Sequence, residues 1–304
     1  MWALVAAVVA AWVGAHRVAG VAIDRRRARF FFAGVAVMWL ASDWPVHDLA
    51  EDYLYSVHMV QHLLFTLVAA PLLVLGTPPW LGRRILGITG PTPAGADGGG
   101  DGIVPGGRPT RRLRLVRSVG RPVPGLIQFN LILVLSHWPA VVTATLRHHP
   151  VHFVAHAVLL LSALFMWLPV ASTIPEVPRA RPPTQMLYLF LQTMVPTVPA
   201  SFLTFGAKPL YHIYETFPRL WGVSALTDQQ VAGLIMKVGA GFYLWTIIAV
   251  VFFRWHDSEE GQGRGGGAPP EPPPAVAEPG PGADVLLWAD VERELRELGE
   301  APGR

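Results

Sequence analysis

The sequence predicts an all-α integral membrane protein, a bundle of about seven transmembrane helices. Of its 304 residues, 52% are hydrophobic and only 15% are charged, and the mean hydropathy is +0.39. Uncharged apolar runs recur, each long enough to cross a hydrocarbon core, which takes about 20 helical residues. The alternation of apolar and polar residues that marks strands is absent, so helices must satisfy the backbone inside the membrane.

Seven segments form the predicted spans, and the arginines between them set the orientation. The spans are 1–22, 30–48, 53–80, 126–146, 151–173, 184–206 and 230–254. The first has no basic stretch before its apolar core, so we expect a span rather than a signal peptide. Arginines crowd the loops after the first, third and fifth spans, whereas the loop at 43–52 is acidic. Because cytoplasmic loops are the arginine-rich ones, the N-terminus is predicted outside and the C-terminus in the cytoplasm.

The transmembrane helical domain is predicted to occupy 1–256, with two disordered cytoplasmic segments. The loop at about 89–107 and the tail at 257–304 are rich in glycine and proline, a composition that disfavours a packed core. Apolar residues recur at helical spacing late in the tail, which predicts one short helix at 284–298.

Composition excludes several classes of function. The chain has no cysteine, which removes thiolate metal ligands and disulfides. Its net charge of +3 comes from arginines in loops, so it reports topology rather than nucleic-acid binding. The sequence has no Walker phosphate-binding loop and no GxSxG motif. We therefore predict a protein that is not an enzyme.

The histidines suggest a metal site near the outer surface. All eleven except His16 and His256 fall on the predicted outer side. Two pairs, His58/His62 and His152/His156, have i,i+4 spacing, which puts both imidazoles of a pair on one face of a helix. The two pairs lie at similar predicted depth, so four imidazoles could reach one ion.

Further residues extend this candidate site. His137 and His149 are additional candidate ligands, and Met59 and Met194 supply thioethers. Imidazole and thioether without thiolate suit copper best and zinc second. Candidates to orient ligands or relay protons are Asp43, Asp48, Asp228, Gln61 and Lys237.

Three other readings of these histidines remain open. Each histidine taken singly could simply hydrogen-bond a neighbouring helix. A b-type haem could lie between the third and fifth spans, held by one histidine of each pair. A transporter could move copper or protons through the histidines, the aspartates and Lys237.

Six segments of the chain resemble the CtaG-type cytochrome c oxidase assembly factors, a polytopic family associated with the caa-type oxidase. They are SDWPVHDLAEDYLYSVHMVQHLLFTLVAAPLLVLGTP (42–78), FNLILVLSHWPAVV (129–142), HHPVHFVAHAVLLLSALFMWLPV (148–170), LYLFLQ (187–192), LTF with PLY (203–211) and DQQVAGLIMK (228–237). HMVQH and DQQVAGLIM are specific in combination. An unrelated single-span copper chaperone shares the family name, but it bears cysteines, which this chain lacks.

The resemblance implies a multi-pass protein of the bacterial plasma membrane that is needed to assemble cytochrome c oxidase. It implies a role in delivering copper to the oxidase or maturing its metal centres. The implied partners are oxidase subunits or their assembly intermediates and membrane lipid, with no nucleic acid. The family pattern falls on His58, Gln61, His62, His137, His149, His152, His156, Asp228 and Gln229.

Overall fold

The computed structural model describes residues 2–88 and 110–265, together with 292, 293 and 296. Every regular element among these residues is helical, which confirms the all-α class. The predicted loop at 89–107 lies outside them, as does the predicted helix at 284–298 except at those three positions. The bundle forms one compact unit, Met1–Trp255, and His256–Arg304 forms a second.

Thirteen α-helices are found in the described part of the chain. They are α1 (Trp2–Ala19), α2 (Arg25–Ala41), α3 (Val46–Asp52), α4 (Tyr55–Leu63), α5 (Ala70–Gly76), α6 (Pro79–Ile85), α7 (Arg111–Val119), α8 (Pro122–Ser136), α9 (Pro139–Arg147), α10 (His149–Ala171), α11 (Pro182–Phe205), α12 (Ala225–Leu234) and α13 (Ala240–Gly265). A π-helical turn at Leu64–Ala69 joins α4 to α5, and another at Ile235–Gly239 joins α12 to α13.

Four helical stretches of the described residues are long and apolar enough to cross a membrane. They are Tyr55–Gly76, His149–Ala171, Pro182–Phe205 and Ala225–Glu260. A fifth is counted if α7 and α8, which meet at a bend of 79°, form one broken span. These helices agree with a multi-pass membrane protein, whereas the count of seven and the orientation of the termini stay predictions.

Two predicted boundaries need correction. The span predicted at 126–146 is divided, because α8 ends at Ser136 and α9 begins at Pro139. Proline lacks the N–H that a continuous helix needs and disfavours helical geometry in the residue before it. Trp138 is accordingly extended, with φ −68° and ψ 131°. His137 therefore lies at a helix end rather than within a span.

The second correction concerns the tail that we predict to be disordered from residue 257. Helix α13 continues past that point to Gly265. His256 and Glu260 lie 3.2 Å apart at i,i+4 spacing, a pairing that supports a helix in this stretch.

The helices that bear the two histidine pairs are held together by a hydrogen bond at the first π-helical turn. A π turn disturbs the regular helical hydrogen bonding and leaves backbone groups in need of other partners. The indole N–H of Trp167, from α10, donates to the carbonyl of Thr66 in this turn at 2.8 Å. Trp167 is almost fully buried. This bond helps to set the register of α10 against α4.

Candidate metal centre

Imidazoles from α4 and α10 meet at one point. His58, His62 and His156 each place a ring nitrogen within 4.8 Å of those of the other two. Nε2 of His156 lies 3.0 Å from Nε2 of His62 and 3.0 Å from Nε2 of His152. We call these four residues the histidine cluster. The structure thus brings together both pairs that the sequence singles out.

The ring nitrogens of the histidine cluster cannot all be satisfied by hydrogen bonds to one another. A ring nitrogen carries either one proton or one lone pair, so Nε2 of His156 cannot form two linear hydrogen bonds at once. Nδ1 of His58 is buried and has no hydrogen-bond partner. Buried polar atoms without a partner are rare and need an explanation. A metal ion among the rings would satisfy these lone pairs.

The spacing of the nitrogens also fits a metal ion. In a tetrahedral site with metal–nitrogen bonds of about 2.0 Å, neighbouring ligand atoms are about 3.3 Å apart. The two contacts at 3.0 Å are close to that edge length. His58, His62 and His156, whose ring nitrogens all lie within 4.8 Å of one another, are therefore a suitable donor set for an ion such as copper or zinc, with His152 next to it through His156.

A carboxylate on α3 orients the outer part of the cluster. The Glu51 side chain pairs with Nδ1 of His152 and lies 3.1 Å from Nε2 of His47 and 3.7 Å from Nδ1 of His149. When His152 is neutral, its Nδ1 carries the proton and donates it to this carboxylate, so its Nε2 has a lone pair facing His156. A carboxylate that fixes the tautomer of a ligating histidine is a common feature of metal sites.

Glu51 remains charged well below neutral pH. Burial alone would raise the pKa of its carboxyl, but the hydrogen bond from His152 and the charges of His152, His47 and His149 outweigh burial and lower that pKa below its ordinary value. From the sequence alone, Glu51 is only one of the acidic residues of the loop at 43–52. The i,i+4 spacing of His47 and Glu51 was the signal that could have identified it.

A cavity connects the histidine cluster with the surface. It measures about 420 Å³ and lies between α2, α3, α4 and α10. Its polar lining includes Asp43, His47, Glu51, Gln61, His149, His152 and His156. The His149 side chain is 92% exposed at the rim. An ion could therefore reach His152 and His156 past Glu51 without crossing the bundle.

Two of the predicted polar residues support backbone near the cluster. The Asp228 carboxylate accepts the backbone N–H of Tyr55 at 2.7 Å and of Ser56 at 3.0 Å, and so caps the first turn of α4. Gln61 donates to the carbonyl of Ala41 at 2.7 Å. These contacts position helices, and Nε2 of Gln61 also lies 3.4 Å from Nδ1 of His47. Ligand orientation or proton relay by these two side chains stays a prediction.

The remaining predicted residues lie apart from the cluster or at its edge. Asp48 is exposed on α3, and Met194 is exposed on α11. Lys237, in the second π-helical turn, is exposed and lies 5.7 Å from the centre of the Phe205 ring. His137 is buried, with its ring centre 6.1 Å from that of His62.

Comparison with known proteins identifies the family. Residues 7–258 match the family model described as cytochrome c oxidase caa3 assembly factor. The chain belongs to this family. The match includes every residue of the histidine cluster, Glu51 and Asp228, so these residues of the candidate centre lie within the matched region. This confirms the family that HMVQH and DQQVAGLIM indicated.

Two curated relatives of this chain come from mycobacteria. Uncharacterized proteins of Mycobacterium bovis and Mycobacterium tuberculosis are each 27% identical to it over 240 residues, or 71% of this chain. The aligned region makes up 33% of each relative, so the chain spans about a third of their length. No solved structure matches the chain.

Proposed function

We propose that this protein binds copper at the histidine cluster and supplies it to cytochrome c oxidase during assembly, acting without catalysis. The convergence of His58, His62 and His156 within 4.8 Å supports this role most directly. In the topology we propose, seven spans place the N-terminus outside and the C-terminus in the cytoplasm of a bacterial plasma membrane. The cavity then opens outward, toward oxidase subunits or assembly intermediates, while lipid surrounds the apolar helix faces.

The imidazole ligands favour copper binding that is weak enough for the ion to be transferred to another protein. Imidazole binds copper well, whereas thiolate, which this cysteine-free chain lacks, holds Cu(I) more tightly. An all-imidazole site can therefore release the ion to a centre that offers thiolate. Zinc is the second choice for the same ligands.

The alternatives receive less support from the geometry. Axial histidines of a haem lie on opposite faces of the iron, about 4 Å apart for bonds of about 2.0 Å. The nitrogens of His62 and His156 are only 3.0 Å apart, which leaves no room for a macrocycle between them. Lys237 is exposed near Phe205 rather than beside the cluster, so a relay through it has no support.

A deletion strain tests the proposed function. We expect loss of cytochrome c oxidase activity, partial rescue by added copper, and full rescue by the wild-type chain expressed at normal level. A strain that keeps normal oxidase activity would contradict the role in assembly. Rescue by the chain but not by copper would point to an assembly role that does not depend on copper supply.

Replacing Glu51 by glutamine should weaken copper binding about 10- to 100-fold, the usual effect of losing a carboxylate that orients a ligating histidine. Copper affinity is measured by competition with a chromophoric chelator. The matched control is Glu215→Gln, because Glu215 also pairs with a histidine, His212 at 2.8 Å, but at an exposed position. Equal affinities for the two variants would show that Glu51 does not orient the site.

A further inference from the structure

A methionine and a histidine make direct contact behind the histidine cluster. Sδ of Met59 lies 3.4 Å from Nε2 of His137. Met59 follows His58 on α4, and His137 caps the C-terminal end of α8. Both side chains are buried, with 3% of Met59 and 8% of His137 exposed. Solvent is therefore largely excluded from the contact.

Hydrogen bonding fixes the proton of His137 on the far side of its ring. Nδ1 lies 2.7 Å from the carbonyl oxygen of Leu133, which can only accept a hydrogen bond. In the neutral ring the proton is therefore on Nδ1, and Nε2 carries a lone pair. A thioether sulfur also offers only lone pairs. The contact between Nε2 and Sδ thus joins two electron donors with no hydrogen between them.

A soft cation would satisfy both donors. With bonds of about 2.0 Å to nitrogen and about 2.3 Å to sulfur, a separation of 3.4 Å corresponds to an angle of about 105° at the ion. That angle is normal for three- or four-coordinate sites. Thioether and imidazole together select Cu(I) among the common metal ions.

The charge of the two ligands and the position of His62 also favour Cu(I). Both ligands are neutral and buried, and the cost of burying charge rises with the charge, so a monovalent ion is favoured over a divalent one. The ring of His62 stands edge-on to that of His137, with centres 6.1 Å apart, and its Nε2 also contacts His156. His62 is thus the member of the histidine cluster whose ring lies next to the Met59–His137 pair.

We propose that Met59 and His137 form a second copper site, specific for Cu(I), that shares His62 with the histidine cluster. This inference rests on the proposed function, because the ion would arrive through that cluster. The all-nitrogen cluster takes the ion from outside, and the softer pair holds it in the reduced state.

X-ray absorption of the full-length protein loaded with Cu(I) tests the inference. The chain contains no cysteine, so any sulfur bonded to copper must belong to a methionine. We expect a Cu–S shell at about 2.3 Å in the wild type and its loss in Met59→Leu. Leucine nearly conserves the volume of methionine, so the fold should be retained. Met194→Leu, at an exposed methionine of α11, is the matched control and should keep the shell.

The outcomes separate the second site from the proposed function. Copper bound by nitrogen alone in the wild type, or a sulfur shell that survives in Met59→Leu, would overturn the second site and leave the cluster intact. Absence of bound copper in the wild type would overturn both. If Met59→Leu does not fold, selenomethionine-labelled wild type replaces it: a Cu–Se shell supports a thioether ligand, and its absence overturns the site.

Discussion

Replacing His62 and His156 together by alanine should reduce the copper content of the purified protein to background. These two residues provide the 3.0 Å contact that joins the pair on α4 to the pair on α10. Without them, only His58 and His152 remain of the cluster, one on each helix. Two imidazoles on different helices make a weak site, since most metal ions need three or four protein ligands. Copper is measured by elemental analysis after gentle purification.

The matched control removes two other histidines of the predicted outer side. His148 and His212 lie in the described structure near the α9–α10 junction and in the segment after α11, and both line a separate surface pocket. The double alanine variant at these positions should retain full copper content. Unchanged copper in His62→Ala/His156→Ala would show that the metal binds elsewhere.

The melting temperature of His62→Ala/His156→Ala provides a second test of the metal site. A ligand that binds only the folded state stabilises it in proportion to its affinity and concentration. Added copper should therefore raise the melting temperature of the wild type and of the His148/His212 control but not that of His62→Ala/His156→Ala. A copper-dependent shift in all three proteins would indicate nonspecific binding.

Sequence spacing predicts geometry within a helix better than geometry between helices. The period of 3.6 residues is sufficient to place His58 beside His62 and His152 beside His156. The meeting of the two pairs depends on packing, including the bond from Trp167 to Thr66, which connects residues far apart in sequence. Predicted topology placed both pairs at one depth, but it does not show which helices are neighbours.

Two roles within the candidate centre depended on contacts that spacing does not encode. Glu51 contacts His47 on its own helix and His149 and His152 on α10. Its role is therefore visible only once α3 is known to pack against α10. The break before Pro139 moved His137 to a helix end, where its ring can face Met59. The proline was visible in the sequence, but whether it would kink or divide the helix was not.

Asp228 shows how a buried charge can be interpreted in two ways. An ionisable residue within a membrane helix is a functional candidate because burial of charge is costly. Here the carboxylate lies against the N-terminal turn of α4, where free N–H groups and the helix dipole favour negative charge. Its partner is 173 residues away in sequence, so sequence reasoning could not identify a cap of this kind.

Replacing Asp228 by alanine should lower the free energy of unfolding by about 3 kcal/mol. The change leaves the backbone N–H groups of Tyr55 and Ser56 without their acceptor, and each buried donor left unpaired costs about 1–3 kcal/mol. The matched control is Ser224→Ala, which removes the cap of α12 at an exposed position and should cost about 1 kcal/mol. Denaturant unfolding in detergent compares the two variants. Equal losses would contradict the view that Asp228 fixes the start of α4.

Asp228→Asn separates a cap from a residue that acts on the metal. Asparagine also caps helices well, so this variant should keep most of the stability that the alanine variant loses. His58 lies in the turn that Asp228 caps, so copper binding should follow helix stability: retained in Asp228→Asn and weakened in Asp228→Ala. If Asp228→Asn remains as stable as the wild type but loses copper, the carboxylate must act on the ion or its ligands, as the sequence first suggested. Affinity and unfolding measured on the same preparations therefore decide between the two roles.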